Sequence, residues 1–201
     1  MSRPVVNSGK IIMSGDNHVA RLRADPDGPD TALVNYFRVE VSEHGSGHVA
    51  FVLPRLAEPG APNACFTDNR PLADWLIASY LMAMDRYKAL PAMDDIAIVE
   101  GATFESQSEL PIAWTERIGG DGVDVSVRWR SDGSDPFYVE IVGQRSPNRK
   151  VDVFASVVPA DEVTLHIDGQ RVPGQMYDEE NWGRPMKSGI LAFAETWIEI
   201  D

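Results

Sequence analysis

Cysteine is almost absent: Cys65 stands alone among 201 residues, which removes any intrachain disulfide and any cysteine-rich zinc site. Positive charge is scarce too, with 18 Lys and Arg against 31 Asp and Glu and a formal net charge of −13. Nucleic acids and anionic membrane surfaces attract basic patches, so neither is expected as a partner. No apolar run approaches the ~20 residues of a membrane-spanning helix. The opening stretch MSRPVVNSGKIIMSGDN also lacks the apolar core of a secretion signal, so a cytoplasmic setting is expected. A phosphate-binding glycine loop, a nucleophile elbow, an HExxH helix and a dinucleotide fingerprint are all missing. No cofactor is therefore expected.

Two groups bear on metals. Asp25 to Asp30, DPDGPD, has carboxylates that calcium accepts, but not at EF-hand spacing, and Asp, Pro and Gly are ordinary turn residues. His44 and His48 flank the turn EHGSGH, yet zinc takes three or four ligands. No metal site is assigned.

What the sequence does contain is apolar residues in short alternating runs. They make up 43% of the chain, ample for one core, and the expectation is a single domain over 1–201. Ala32 to Ser42 and His48 to Pro54 read as a hairpin. After residue 95 come strands at Ile96–Glu105, Ile112–Ile118, Val123–Arg130, Phe137–Gly143, Lys150–Val158, Glu162–Asp168 and Gly189–Ile200. Met176 to Lys187 reads as an irregular polar segment, a candidate rim or lid.

Between the hairpin and these strands lies one long helical pattern, Pro71 to Leu90. Thr67, Asp68 and Asn69 are plausible caps, Pro71 suits the first turn and Pro91 stops the helix. Its apolar residues cover most of the circumference, so burial on more than one side is expected. The fold expected is mainly β: about ten antiparallel strands in a barrel or strongly curved sheet, lipocalin-like, with the helix buried against it. The alternative is a β-sandwich or jelly roll.

Strict alternation assigns each side chain to a face, and three strands carry a Glu among apolar neighbours. Glu100 shares a face with Ile96, Ile98 and Phe104. Glu116 sits with Ile112, Trp114 and Ile118, and Glu195 lies between Phe193 and Trp197. A carboxyl facing a core is costly unless paired, and burial raises its pKa toward the range of general acid–base work. Pairing with Arg38, Arg117 or Arg128, or a bulge that turns a Glu into water, gives the structural alternative.

The functional expectation is a cavity that holds a small, largely apolar organic molecule. Trp114, Trp197, Phe193, Tyr80, Tyr87, Trp75 and Met84 would shape it, and Glu116, Glu195 and Glu100 would orient the ligand or move a proton on it. Isomerisation, cyclisation or hydration needs only an acid and a base. The alternative is a non-catalytic β-sandwich module for a carbohydrate or protein, using exposed Trp129 and Trp182.

Overall fold

In the computed structural model, which describes residues 9–56, 63–82, 87, 96–109, 113–132, 135–146 and 149–200, strands dominate and one short helix interrupts them. The larger sheet has eight strands: β1 (Lys10–Leu22), β2 (Ala32–Ser42), β3 (Gly47–Leu53), β4 (Ala64–Thr67), β5 (Ala97–Glu100), β9 (Phe137–Ser146), β10 (Arg149–Pro159) and β15 (Gly189–Glu199). Their order across the sheet is β5-β4-β3-β2-β1-β15-β10-β9. A five-stranded sheet runs β12-β11-β8-β7-β6. It comprises β6 (Thr103–Glu109), β7 (Ala113–Gly120), β8 (Val123–Arg130), β11 (Glu162–Ile167) and β12 (Gln170–Arg171). A separate hairpin pairs β13 (Asp178–Asn181) with β14 (Arg184–Lys187).

Every pairing is antiparallel except β4 with β5, which run parallel because the helical segment carries the chain back between them. The expectation of a mainly β, antiparallel architecture agrees with this. No closed barrel forms among the described residues: the large sheet ends on β5 and β9.

The large sheet is covered on both faces. Ala32, Val34, Tyr36, Ala50 and Leu191 point to one side and share a core with Ile118, Val125, Val127 and Trp129 of the five-stranded sheet. Leu33, Phe37, Val49, Phe51 and Trp197 point to the other and pack against Leu72, Leu76, Tyr80 and Leu81 of the helical segment. Trp129 is fully buried, and its indole N–H donates to the Val19 carbonyl at 3.0 Å, binding the two sheets together. The expectation that Trp129 is a surface contact is therefore corrected.

Double coverage explains why β1 escapes a reading by periodicity. A strand buried on both faces shows no alternation. In β1 the sequence is further disguised by buried polar residues, Asp16, Asn17, His18 and Arg21. The run from Ile96 to Glu105 is likewise two strands. Gly101, at φ +69°, turns the chain out of β5 in the large sheet and into β6 in the small one.

The helix begins at Arg70, runs as α1 to Leu76, and continues as a π turn, Ile77–Leu81, in which the Met82 N–H reaches the Ile77 carbonyl at 2.9 Å. The remainder of the expected span to Leu90 lies outside the described residues apart from Met82, which is partly exposed, and Tyr87, which is buried. No helix among the described residues is long and apolar enough to cross a membrane.

Asn69 fixes where the helix starts. Its Oδ1 accepts from the Leu72 N–H at 3.1 Å, while its Nδ2 donates to the His44 and Ser46 carbonyls at 2.9 and 3.0 Å. One side chain thus caps the helix and ties it to the β2–β3 turn. Asn69→Ala removes both roles and is expected to lower stability by about 1–2 kcal/mol. Urea unfolding followed by circular dichroism measures this, with an unchanged m-value.

Candidate functional site

β15 carries the irregularity that builds the site. Glu195 pairs with Gly15 of β1, and the next partners are Ala192 and Asn17, so Phe193 and Ala194 together oppose Asp16. Ala194 sits at φ +51° in this bulge, and its N–H donates to Asp16 Oδ1 at 3.1 Å. Arg38 holds the other oxygen, Oδ2, at 2.6 Å. The extra residue inverts the alternation. Leu191 and Phe193 therefore face the five-stranded sheet, whereas Ile190, Ala192, Glu195 and Trp197 border a cavity on the helix side.

That cavity has a volume of about 230 Å³. β9, β10 and β15 supply its apolar floor, including Val139, Val153, Ala155 and Ala192. Tyr80 and Tyr87 close one side, and Glu179, Asn181 and Trp182 of the β13–β14 hairpin close another. The hairpin was expected to be irregular. Instead it turns tightly through Trp182 and Gly183, both at positive φ (51° and 71°), the geometry of a two-residue primed turn. Trp182 packs edge-on against Phe137 at 6.1 Å between ring centres and remains 44% exposed, so the lid position expected of this segment falls on the hairpin tip.

Glu195 lies within this enclosure. Its Oε1 accepts from the Trp197 indole N–H at 2.7 Å and its Oε2 from Asn17 Nδ2 at 3.0 Å. No ion pair reaches it among the described residues. Burial dominates and raises its pKa above the usual carboxylate range, against the lowering effect of those two donors. Asn17 Oδ1 is buried without a partner. Alongside, Asn35 Nδ2 donates to the Tyr80 hydroxyl at 3.2 Å, and burial raises the pKa of that phenol.

The other apolar-face carboxyl is on the far side of the sheet. Glu116, on β7, is fully buried; its Oε1 accepts from Ser106 Oγ at 2.7 Å and from Trp114 Nε1 at 2.6 Å. Its Oε2 has no partner, and burial again raises the pKa. The Tyr36 hydroxyl approaches Glu116 and Ser106 without closing a hydrogen bond of normal geometry. Beside them His18 is wholly buried among the rings of Trp114, Trp129, Phe193 and Tyr36, at 5.1–5.8 Å.

The expected site is thus divided by the sheet. Glu195, Trp197, Tyr80 and Tyr87 come together at the cavity, whereas Glu116, Trp114 and Phe193 meet between the two sheets. Trp75 packs against Trp197 at 5.8 Å and does not line the cavity. Glu100 faces outward and pairs with Arg70 at 2.8 Å, because the corner at Gly101 breaks the alternation that placed it with Phe104. Met84 lies outside the described residues. Asn17 and Arg21 were not anticipated; an Asn or Arg inside an apolar strand is the signal that marks them.

Metal ligands are not assembled: among the described residues no group of three or more His, Cys, Asp or Glu is poised to hold an ion. Asp30 pairs with Arg23 at 2.9 Å, Asp25 accepts its own loop's Asp27 N–H, and His48 pairs with Asp68 at 2.7 Å. Comparison with protein-family models, curated proteins and solved structures finds no match.

His18 gives the site region a pH signature. Burial pulls its pKa down to about 3, an effect only partly offset by contact with the Asn17 backbone and reinforced by the Arg38 charge. The folded protein then binds fewer protons than the unfolded chain between that value and the ordinary 6.5, so this contribution is present above pH 6.5 and is lost as pH falls toward 3. The raised pKa values of Glu195 and Glu116 act oppositely, lowering stability as pH rises through them. His18→Leu is expected to flatten the acid limb by up to about 1.4 kcal/mol per pH unit, read from urea midpoints at several pH values.

Proposed function

We propose that this protein binds a small, largely apolar organic molecule in the cavity over β9, β10 and β15, and that Glu195 exchanges a proton with it. The observation that carries this is the coincidence of a mostly apolar cavity with a buried carboxyl in its wall that has no ion pair among the described residues. A cavity of about 230 Å³ is small beside the roughly 300–1,000 Å³ of drug-sized pockets, which favours a ligand of one or two rings. In place of the expected barrel, the helix end and the hairpin border this cavity over one sheet face. The net charge of −13 supports a small-molecule partner rather than nucleic acid, and a cytoplasmic setting belongs to the same reading.

The chemistry available is acid–base and needs no cofactor. A carboxyl with raised pKa donates its proton to a bound base or takes one from an activated C–H, then returns it. Isomerisation fits this single-group shuttle best, since the same proton leaves one position and arrives at another. Cyclisation needs only the donation step, and hydration needs a water beside the ligand. Tyr80, Trp197 and the apolar floor border the ligand and orient it, and their low polarity strengthens the electrostatic contacts made against them.

Ala192, almost fully buried, points its Cβ into the cavity. Ala192→Phe fills the space and is expected to abolish the saturation-transfer signals that monocyclic aromatic fragments give with the wild-type protein, while the melting temperature stays within a few degrees. Fragment signals undiminished in Ala192→Phe place the binding elsewhere and overturn the proposal. Glu195→Gln preserves shape and, with Asn17 turned to accept, preserves both hydrogen bonds. It is expected to keep the fold and lose proton exchange with the ligand, checked by deuterium incorporation into bound substrate.

A further inference from the structure

Resting on that reading, we infer that the ligand carries a basic nitrogen and is held at Glu195 as an ammonium ion. Charge at this end of the cavity decides the class, because Glu195 is buried there with no ion pair among the described residues. The Trp197 and Asn17 N–H groups are both engaged with Glu195. The carboxyl keeps further lone pairs for a ligand, and the Tyr80 hydroxyl, which accepts from Asn35 Nδ2, retains a proton to donate beside it. A ligand carboxylate placed there meets the like charge of Glu195. An amine meets its complement.

With an amine, either protonation state of Glu195 leads to the same ion pair. If it is ionised, a ligand ammonium supplies the missing cation and donates to Glu195. If it is protonated, a neutral amine takes the carboxyl proton, the O–H bond breaking as the N–H bond forms, and the same ion pair results. A neutral alcohol satisfies one acceptor without compensating the charge.

Aromatic faces support the same ligand class. Tyr80 and Trp197 stand beside the carboxyl with ring centres 5.7 Å apart, and Trp182 stands at the rim. Aromatic rings attract an ammonium through their negative faces. The other charges that face the cavity do not oppose it. Arg21 forms an ion pair with Glu179, lies 3.6 Å from Asp30, and donates to the Tyr177 hydroxyl at 2.6 Å. Its positive charge is therefore matched within the rim, and Glu195 remains the cavity's uncompensated group.

Three ligands of similar shape separate the classes: 2-phenylethylamine, 2-phenylethanol and 3-phenylpropanoate, titrated calorimetrically into the full-length wild-type protein. The amine is expected to bind about tenfold or more tightly than the alcohol, the worth of one charge-assisted hydrogen bond, with the carboxylate weakest. In Glu195→Gln the preference for amine over alcohol is expected to fall to near unity. Where Glu195 is protonated and the amine already an ammonium, binding releases the carboxyl proton, so the heat varies with buffer ionisation enthalpy for the amine and not for the alcohol. Alcohol or carboxylate binding as tightly as the amine overturns the amine assignment and leaves the cavity standing as a ligand site. The same holds if Glu195→Gln retains the preference. If none of the three binds, both the assignment and the cavity proposal fail.

Discussion

Where β15 bulges at Ala194, Asp16 of β1 accepts the displaced N–H, and Arg38 of β2 holds Asp16 in place. Three strands are locked by this one carboxylate. The consequences run along β15 in both directions, because a shift of one residue moves every side chain to the opposite face. Without the bulge Glu195 would share a side with Phe193, in the packed layer between the two sheets. With it, Glu195 and Trp197 reach the cavity while Phe193 and Leu191 stay in the inter-sheet core.

Glu195 of the large sheet and Glu116 of the five-stranded sheet therefore lie on opposite sides of the large sheet, each near aromatic residues and each raised in pKa by burial. Their surroundings differ in what they leave room for. Glu116 is wedged between sheets with Ser106, Trp114 and Tyr36 around it and belongs to the packing that holds them together. Glu195 has open volume beside it. Burial of a polar group is costly in both places, but only on the helix side does the geometry offer a molecule somewhere to sit.

The strand content was legible in the sequence where β-branched and aromatic residues dominate, as in β2 and β3, and where one face was covered and the other wet. β8, Val123–Arg130, alternates cleanly and its bounds follow from the residues alone. β1 was opaque because both its faces are buried and half its residues there are polar. Gly101 and Ala194 were the two local features that defeated face assignment, one by turning a strand into another sheet and one by inserting a residue. Glu195 and Trp197 were identifiable as neighbours two apart on a strand. Their cavity was not, since Asn17 and the β13–β14 hairpin come from distant sequence, and a Trp in the left-handed turn position is no ordinary hairpin signal.

Asn17 and Glu195 meet across 178 residues, through the pairing of β1 with β15 in the middle of the sheet. That separation orders events during synthesis. While the ribosome is still producing β15, β2 is already available to one side of β1, but β1's other edge lies open with its N–H and C=O groups unpaired. Such an edge, in a chain whose central contacts close over so long a loop, favours slow maturation and intermolecular strand pairing in the interval. The cavity beside Glu195 is then complete only once β15 has docked against β1.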